Sequence, residues 1–324
     1  MTSDTLFEIG RRPASMVVLG GGPVGCEMAQ AFSALGTQIT LVEAADRLLP
    51  REEPEASAVV ADALVAGGVD VRVGATVERV DHRRDGRLCV HLAGGATVPS
   101  DELLVAVGRT PAGRGLGLEE IGVEVDPRGA VVVDDTLATG VAGVWAVGDV
   151  TGGLQLTHAA ARMGWIAASN ALSRRAKVRA YRFDPRAIPS VTFTTPEVAR
   201  VGLTEADAAG RYPAARVAFL ALEHVDRALA VGSTAGFVKL VAAPRRVARH
   251  LGGGRLVGAT VVAPAGGEVV HEAALAMQTR MFVGRLAQTT HAYPTWSMAI
   301  QQAALQFFGP SGGDRARPVA PRSR

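Results

Sequence analysis

The chain has 324 residues, of which 48% are hydrophobic and 20% are charged, so we expect a globular protein of two or three domains. Its formal net charge is +3 and its arginines are spread along the chain, which disfavours nucleic acid as a partner. There is no apolar run of about eighteen residues, and residues 1–12 lack the features of a secretory leader. We therefore expect a cytoplasmic protein without a membrane span.

The first part of the chain alternates strands with helices. This spacing is typical of a parallel, doubly wound sheet, and the closely spaced short strands that follow predict an antiparallel flap on it. The predicted strands are Ser15–Leu19, Gln38–Val42, 69–73, 77–80, Leu88–Leu92 and 103–107, and the predicted helices are 24–35 and 53–66.

Two further regions follow, and their patterns differ from the first. The second contains short strands and one long helix, and the third is rich in strands and ends in two helices. The third pattern predicts an α+β domain rather than another Rossmann unit. The predicted elements are strands 130–133 and 143–147 and helix 156–172 in the second region, and strands 191–193, 216–222, 237–241 and 256–262 with helices 268–277 and 295–307 in the third.

The strongest local signal is the run Gly20-Gly21-Gly22-Pro23-Val24-Gly25, which lies directly between a predicted strand and a predicted helix. It contains G-x-G-x-x-G, whose glycines permit a tight turn and close approach of a pyrophosphate to the free N–H groups of a helix N-terminus. Glu43 closes the next strand, 18 residues after Gly25, where an acid should hold the adenosine ribose hydroxyls. The pattern predicts a dinucleotide site.

Glu43 also bears on the choice between NAD and NADP. A carboxylate at this place repels the additional phosphate of NADP, and Ala44 and Ala45 offer that phosphate no positive partner. Arg47 is close by, so NADP stays open as the less favoured alternative. We expect NAD.

The chain contains two cysteines, Cys26 and Cys89, and they are far apart in sequence. They form no CxxC pair, so the sequence predicts neither a disulfide framework nor a metal site. Cys26 is interpreted as a small buried residue.

Six further segments carry motifs, in the following order: Cys26-Glu27, Val107-Gly108-Arg109-Thr110-Pro111, Gly143-Val144-Trp145-Ala146-Val147-Gly148-Asp149, Thr157-His158-Ala159, Phe193-Thr194-Thr195-Pro196-Glu197-Val198-Ala199 and His291-Ala292-Tyr293-Pro294-Thr295. Together with the glycine run they resemble the pyridine nucleotide–disulfide oxidoreductases, a family that includes dihydrolipoamide dehydrogenase, mercuric reductase and soluble transhydrogenase. The resemblance covers nearly the whole chain, about residues 2–308.

The resemblance implies an α/β protein with a doubly wound Rossmann-type NAD domain, a partial FAD-domain segment and an α+β dimerisation domain. It also implies FAD and NAD as cofactors, a homodimer, and hydride transfer from NADH through FAD to a small-molecule electron acceptor. The implied boundaries are a linker at 1–12, the NAD domain at 13–108, the FAD segment at 109–185, the dimerisation domain at 186–308 and a disordered basic tail at 309–324.

Roles for single residues come from the same resemblance. Glu27 should lie near the nicotinamide and pair with a lysine of the flavin domain, and Gly108 belongs to the loop that closes the NAD domain. Asp149 should accept hydrogen bonds from the flavin ribityl chain, and Thr157 begins a helix beside the isoalloxazine. The catalytic residues remain unassigned.

The chain departs from the family pattern in two places. It matches no N-terminal flavin motif or redox cysteine pair, so we expect a miscalled start, a fragment or a true truncation. Tyr293 and Met298 stand where the disulfide reductases have a histidine and an acid, and methionine cannot orient an imidazole. We therefore expect an acceptor other than a disulfide, such as a quinone or another nicotinamide. His291 either faces the flavin or is a structural histidine.

Two other functions are open to the sequence. The chain could be an inactive module that binds NAD and dimerises. It could also be a dehydrogenase without flavin, which is disfavoured because the region after Gly108 carries flavin-type motifs.

Overall fold

The computed structural model describes residues 1–2, 4–83, 86–172, 180–245 and 249–320. The chain forms two compact units, the larger from Met1–Gly108 with Pro189–Arg324 and the smaller from Arg109–Ile188. Ser3 of the predicted linker, residues 173–179 of the predicted FAD segment and residues 321–324 of the predicted tail lie outside the described residues.

A parallel sheet forms the first half of the larger unit, which we call the parallel-sheet half (residues 1–108). Its first three strands are connected by two helices, and a three-stranded antiparallel sheet precedes the fourth strand, as the sequence pattern predicts. The elements are β1 Ser15–Leu19, α1 Pro23–Ala34, β2 Gln38–Val42, α2 Pro54–Ala66, β3 Asp70–Arg72, β4 Val77–His82, β5 Leu88–Leu92, β6 Thr97–Ser100 and β7 Glu102–Val105.

The strand order across the parallel sheet is β3-β2-β1-β7. The chain proceeds from β1 to β2 on one side, and β7 pairs with β1 on the other, so the winding reverses beside β1. In open α/β sheets the ligand crevice lies at such a reversal, beyond the carboxyl ends of the strands. The fold therefore places this crevice next to Leu19 and the glycines that follow it.

The smaller unit contains one long helix, α3 Thr157–Leu172, and otherwise loops and short turns among its described residues. Met163 and Ile166 of this helix are buried against Leu137, and Trp145 packs at the edge of the same cluster. The apolar spacing of the helix thus forms the core of this unit.

The strands predicted at 130–133 and 143–147 are wrong, because the described residues there form only isolated bridges. The carboxylates of Asp126 and Asp134 each accept N–H groups from residues two and four positions later. These local hydrogen bonds compete with ladder formation and turn the chain.

An antiparallel sheet forms the second half of the larger unit, the antiparallel-sheet half (residues 189–320). Its strand order is β13-β10-β11-β12-β9-β8, and all seven residues of β11 are buried. Phe237 and Val262 share one apolar cluster with Met16 and Leu41, so the two halves have a common core. The elements are β8 Pro189–Thr192, β9 Glu197–Gly202, α4 Glu205–Arg211, β10 Arg216–Ala221, α5 Asp226–Val231, β11 Phe237–Ala243, β12 Arg255–Ala263, α6 Gly266–Gln278, α7 Val283–Gln288, α8 Met298–Leu305 and β13 Arg317–Pro318.

The sequence predicts a disordered basic tail, but its described part, up to residue 320, packs on the antiparallel-sheet half. β13 pairs with β10, and the N–H of Val319 donates to the carbonyl of Ala215 at 3.1 Å. Val319 is itself buried in an apolar cluster. The Gly, Pro and Arg composition suggested a solvated segment, but one apolar residue and a strand edge suffice to dock it.

None of the helices in the described part of the chain is both long enough and apolar enough to cross a membrane.

Candidate coenzyme site

The glycine loop, residues 20–25, connects β1 to α1 and is required by close packing. Gly20 has φ of 106°, and a Cβ there would lie 2.6 Å from the carbonyl oxygen of Ala106. A Cβ on Gly25 would lie 1.8 Å from the carbonyl oxygen of Gly20. Neither position can accept a side chain without moving backbone, so this part of the motif is fixed by sterics.

Gly22 has the opposite environment. No described heavy atom outside its chain neighbours lies within 4 Å of where its Cβ would be, so the space above it is open. Gly22 is the N-cap of α1, Pro23 is the first helical residue, and no described side chain caps this end. The helix therefore presents its partial positive charge to open space, which is the arrangement that binds phosphate groups.

Glu43 follows β2 and faces the glycine loop. Its Oε2 accepts the N–H of Gly21 at 2.6 Å, and its Oε1 accepts the N–H of Ala45 at 2.7 Å. A Cβ on Gly21 would lie 3.0 Å from the Cβ of Glu43, so the second glycine also permits this approach. The two hydrogen bonds fix the carboxylate beside the glycine loop.

Arg47 is occupied within its own loop. Its Nη1 donates to the carbonyl of Glu52 at 2.9 Å and to Oγ of Ser57 at 3.0 Å, and its Nη2 donates to the carbonyl of Pro50 at 2.8 Å. The guanidinium thus closes the loop at residues 44–53, which we call the 44–53 loop. It is not a free phosphate ligand beside Glu43.

Glu27 and Gln30 lie one turn apart on α1 and hold the start of the antiparallel-sheet half. Glu27 accepts the N–H of Phe193 at 2.8 Å, and Gln30 exchanges two hydrogen bonds with the backbone of Thr195, at 2.7 and 3.0 Å. Burial raises the pKa of Glu27, and the N–H of Phe193 opposes that shift. This contact spans more than 160 residues and was not predicted from sequence.

Cys26 is fully buried beneath the glycine loop, and its thiol donates to the carbonyl of Gly21 at 3.3 Å. Burial, together with the charges of Glu27 and Glu43, raises its pKa to about 12. The thiol therefore stays protonated and is not a nucleophile at neutral pH. Its interpretation as a small buried residue agrees with this environment.

The other residues assigned by resemblance are exposed. Gly108 is the last residue of the parallel-sheet half, with φ of 138°, and its surroundings are open. In the smaller unit, Asp149 lies on a short turn, with its carboxylate 3.4 Å from Nη1 of Arg109. Thr157 is the first residue of α3. Gly148 permits this turn to approach α3, because a Cβ there would lie only 3.1 Å from that of Ala160.

The segment around Tyr293 contains no free imidazole. Nε2 of His291 lies 2.9 Å from a carboxylate oxygen of Glu272, and Nδ1 lies 2.9 Å from the carbonyl of Thr289. His291 is nearly buried, so these partners favour a structural role for it. Tyr293 is exposed, and a hydrogen bond with the carboxylate of Asp226 raises the pKa of its hydroxyl.

A set of charged residues around the buried Lys239, which we call the ionic cluster, joins the two halves of the larger unit. It consists of Glu53, Glu55, Glu205, Lys239 and Arg317. The ammonium of Lys239, which is 1% exposed, lies 2.7 to 3.3 Å from one oxygen of each carboxylate. Burial lowers the pKa of Lys239, but the negative charges of Glu53 and Glu55 outweigh it and the net shift is upward.

The ionic cluster was not predicted from the sequence. A lysine inside the apolar strand Phe237–Ala243 was the one available signal, because such a residue needs buried partners. Its partners lie 34 to 186 residues away, and no local spacing identifies them.

Both units of this chain are similar to known proteins. The family model "pyridine nucleotide-disulphide oxidoreductase" matches residues 1–164, and the model of the dimerisation domain of the same name matches residues 188–304. A mercuric reductase of Streptomyces lividans is 39% identical over 311 residues, which are 95% of this chain and 63% of the relative. A dihydrolipoyl dehydrogenase of Thermus scotoductus is 36% identical over 90% of this chain and 61% of its own length.

A solved structure, LpdA from Mycobacterium tuberculosis, superimposes with a TM-score of 0.84 and 32% identity. The match covers 95% of this chain and 65% of that chain. The chain spans roughly half to two thirds of the length of the curated relatives it matches, from 47% to 65% of each.

Proposed function

The chain belongs to the pyridine nucleotide-disulphide oxidoreductase family, and we propose that it binds NADH for a flavin-dependent oxidoreductase reaction. Members of this family are oxidoreductases that use FAD and NAD(P)H. When bound, NADH supplies a hydride and FAD passes the electrons on to an acceptor.

The observation that carries the proposal is the open N-terminus of α1 beside a fixed carboxylate. The space above Gly22 admits a pyrophosphate, and the uncapped helix end offers it N–H groups and positive potential. Glu43, held by the N–H groups of Gly21 and Ala45, has its carboxylate in place to accept hydrogen bonds from ribose hydroxyls. Gly20 and Gly25 shape the turn, and Pro23 and Val24 begin the helix.

We infer a preference for NADH over NADPH from the same geometry. An additional phosphate on the ribose would meet the ionised carboxylate of Glu43. Arg47, the one nearby cation suggested by sequence, donates to Pro50, Glu52 and Ser57 instead. The local charge therefore opposes the phosphate without compensation.

The proposed flavin contacts in the smaller unit are Asp149 and Thr157. Asp149 and Thr157 offer an exposed carboxylate and hydroxyl in the smaller unit, which suit a polyhydroxylated chain. Glu27 would lie near the nicotinamide, with its carboxylate held by the N–H of Phe193. Gly108 leaves the end of the parallel-sheet half open.

We propose a quinone or another nicotinamide, rather than a disulfide, as the acceptor. Tyr293 and Met298 provide no imidazole–carboxylate pair, and His291 has both ring nitrogens engaged. A homodimer through the antiparallel-sheet half is part of the same proposal.

The first experiment is a fluorescence titration of the full chain with NADH and NADPH. We expect NADH to bind more tightly, and Glu43→Gln to weaken NADH about tenfold or more, because a hydrogen bond to a charged group contributes about 1.5–3 kcal/mol. Glu78→Gln, an exposed carboxylate on β4, is the matched control. Failure of the wild-type chain to bind either nucleotide would refute the proposal.

A second experiment separates the flavoenzyme from an inactive module. The chain is incubated with excess FAD, freed of unbound flavin, and its visible absorption is recorded before and after NADH. A retained band that NADH bleaches supports the flavoenzyme, and quinone and disulfide acceptors are then compared. A colourless protein that still binds NADH supports the alternative, a module that binds NAD and dimerises.

A further inference from the structure

The ionic cluster lies at the far end of the loop that begins at Glu43. Glu53 ends the 44–53 loop and is the N-cap of α2, and its Oε2 lies 3.1 Å from Nζ of Lys239. Its other oxygen accepts the N–H of Glu205 at 2.7 Å. The loop is therefore bounded by Glu43 at the crevice and by a buried cation at its other end.

Two further contacts transmit the position of this loop to the coenzyme site. The N–H of Leu49 donates to the carbonyl of Gly21 at 2.9 Å, and the side chain of Leu48 contacts Gly21. Glu52 forms an ion pair with Arg200 of β9, at 2.6 and 3.1 Å. A displacement of the loop would therefore move Gly21, whose N–H also holds Glu43.

The C-terminal segment, residues 314–320, adds a second cation to the cluster. Both guanidinium Nη atoms of Arg317 donate to the carboxylate of Glu205, and the N–H of Ala320 donates to the same group at 3.0 Å. With Arg317 opposite Glu205, the charge of Lys239 is available to Glu53 and Glu55. Without Arg317, three carboxylates would share a single ammonium.

We propose that the C-terminal segment positions the 44–53 loop for coenzyme binding, with Arg317, Glu205 and Lys239 as positioning residues. The inference rests on the proposed function, because it concerns the affinity for the adenosine end of NADH. Loss of Arg317 would leave Glu53 and Glu205 in mutual repulsion and release the N-cap of α2, and the loop would then no longer hold Gly21 and Glu43 together.

The test measures the affinity of ADP-ribose and NADH for Arg317→Gln in the full chain. We expect binding of both to weaken by about fivefold, since residues that touch neither ligand change affinities by about two- to thirtyfold. Arg315→Gln, which removes the same charge two residues earlier on an exposed side chain, should bind as the wild type does. Arg317→Lys keeps the charge and should recover most of the affinity.

Hydrogen–deuterium exchange of the wild-type chain distinguishes a positioning role from a contribution to stability alone. Because coupling is reciprocal, ADP-ribose should slow exchange in residues 314–320, which lie outside the crevice. Equal affinities for Arg317→Gln and the wild type, or unchanged exchange in this segment, would overturn the inference alone. Failure of the wild-type chain to bind ADP-ribose and NADH would overturn the proposed function and this inference together.

Discussion

Three helices of the larger unit begin in different electrostatic environments. The N-terminus of α1 has Gly22 as its cap and no acidic residue in its first turn. Those of α2 and α4 have Glu53, Glu55 and Glu205. All three ends carry the same partial positive charge. At the starts of α2 and α4, carboxylates of the chain lie beside Lys239, and Thr204 and Asp207 form a capping box on α4. At α1 the charge is left for an anion from outside.

The largest expected effect comes from removing Lys239, the cation beside the carboxylates at the starts of α2 and α4. Lys239→Met leaves three carboxylates without their buried partner, and breaking one side of a buried ion pair costs about 3–5 kcal/mol in free energy of unfolding. Urea unfolding measures this change. Arg315→Met is the control on an exposed side chain, and an equal loss of stability in both variants would contradict the role of Lys239.

A second variant gives the start of α1 an acidic residue, as the starts of α2 and α4 already have. Pro23→Glu places a carboxylate in the first turn of α1, at an exposed position. We expect NADH affinity to fall about tenfold or more, because two unit charges at about 4 Å repel by about 1–4 kcal/mol. Fold stability should change little through the dipole, about 0.3–1 kcal/mol in the favourable direction.

The neutral variant Pro23→Gln controls for the loss of proline in that experiment. It should bind NADH nearly as the wild type does. Equal weakening by Gln and Glu would show that the charge of the helix end is not what binds the coenzyme.

The pH dependence of the free energy of unfolding tests the carboxylate of Glu205 at the start of α4. Burial opposes ionisation of Glu205, but Arg317, the N–H of Ala320 and Lys239 lower its pKa to about 2. The folded pKa lies below that of the unfolded chain, about 4.3, so this stabilisation is present above that pH and is lost as the pH falls toward 2.

Urea midpoints should therefore decline as the pH is lowered from about 5 to about 2.5, and Glu205→Gln should show a shallower decline. Glu223→Gln removes an exposed carboxylate and should leave the slope as it is in the wild type. Identical slopes for the wild type and Glu205→Gln would exclude Glu205 as the group responsible.

The smallest effect concerns the thiol beneath the open helix end. Cys26 is buried with a pKa of about 12, so it should not react with alkylating reagents in the folded chain at about pH 8. Mass spectrometry should find it modified only in denaturant. Rapid native labelling of Cys26 would mean that the glycine loop opens readily.

The sequence predicts the glycine loop and Glu43 at the start of α1, but it does not predict the ionic cluster at the starts of α2 and α4, and the reason is physical. Gly20 to Gly25 and Glu43 are fixed by contacts within one strand–helix–strand unit, so their spacing along the chain is informative. Lys239 lies on β11 and Glu53 and Glu205 lie at the starts of α2 and α4, so they come together only in the folded chain. The bonds from Glu27 to Phe193 and from His291 to Glu272 likewise depend on tertiary contacts.

Composition was misleading in two places. The tail is rich in Gly, Pro and Arg, yet Arg317 has a buried partner in Glu205 and Val319 has an apolar pocket. In the smaller unit, the apolar run at 130–133 suggested a strand, but Asp126 and Asp134 beside it satisfy the local N–H groups first. Single specific contacts decided both outcomes.

The burial of Lys239 also has a consequence for chemical modification. The chain contains two lysines, and Lys239 is 1% exposed with its ammonium engaged, while the N-terminal ammonium donates to Leu103 at 2.6 Å. Nearly all of the positive charge of the chain therefore resides on arginine guanidinium groups, which stay protonated at any pH a cell reaches. Acylating agents that neutralise the surface of a lysine-rich protein would leave the charge of this one almost unchanged.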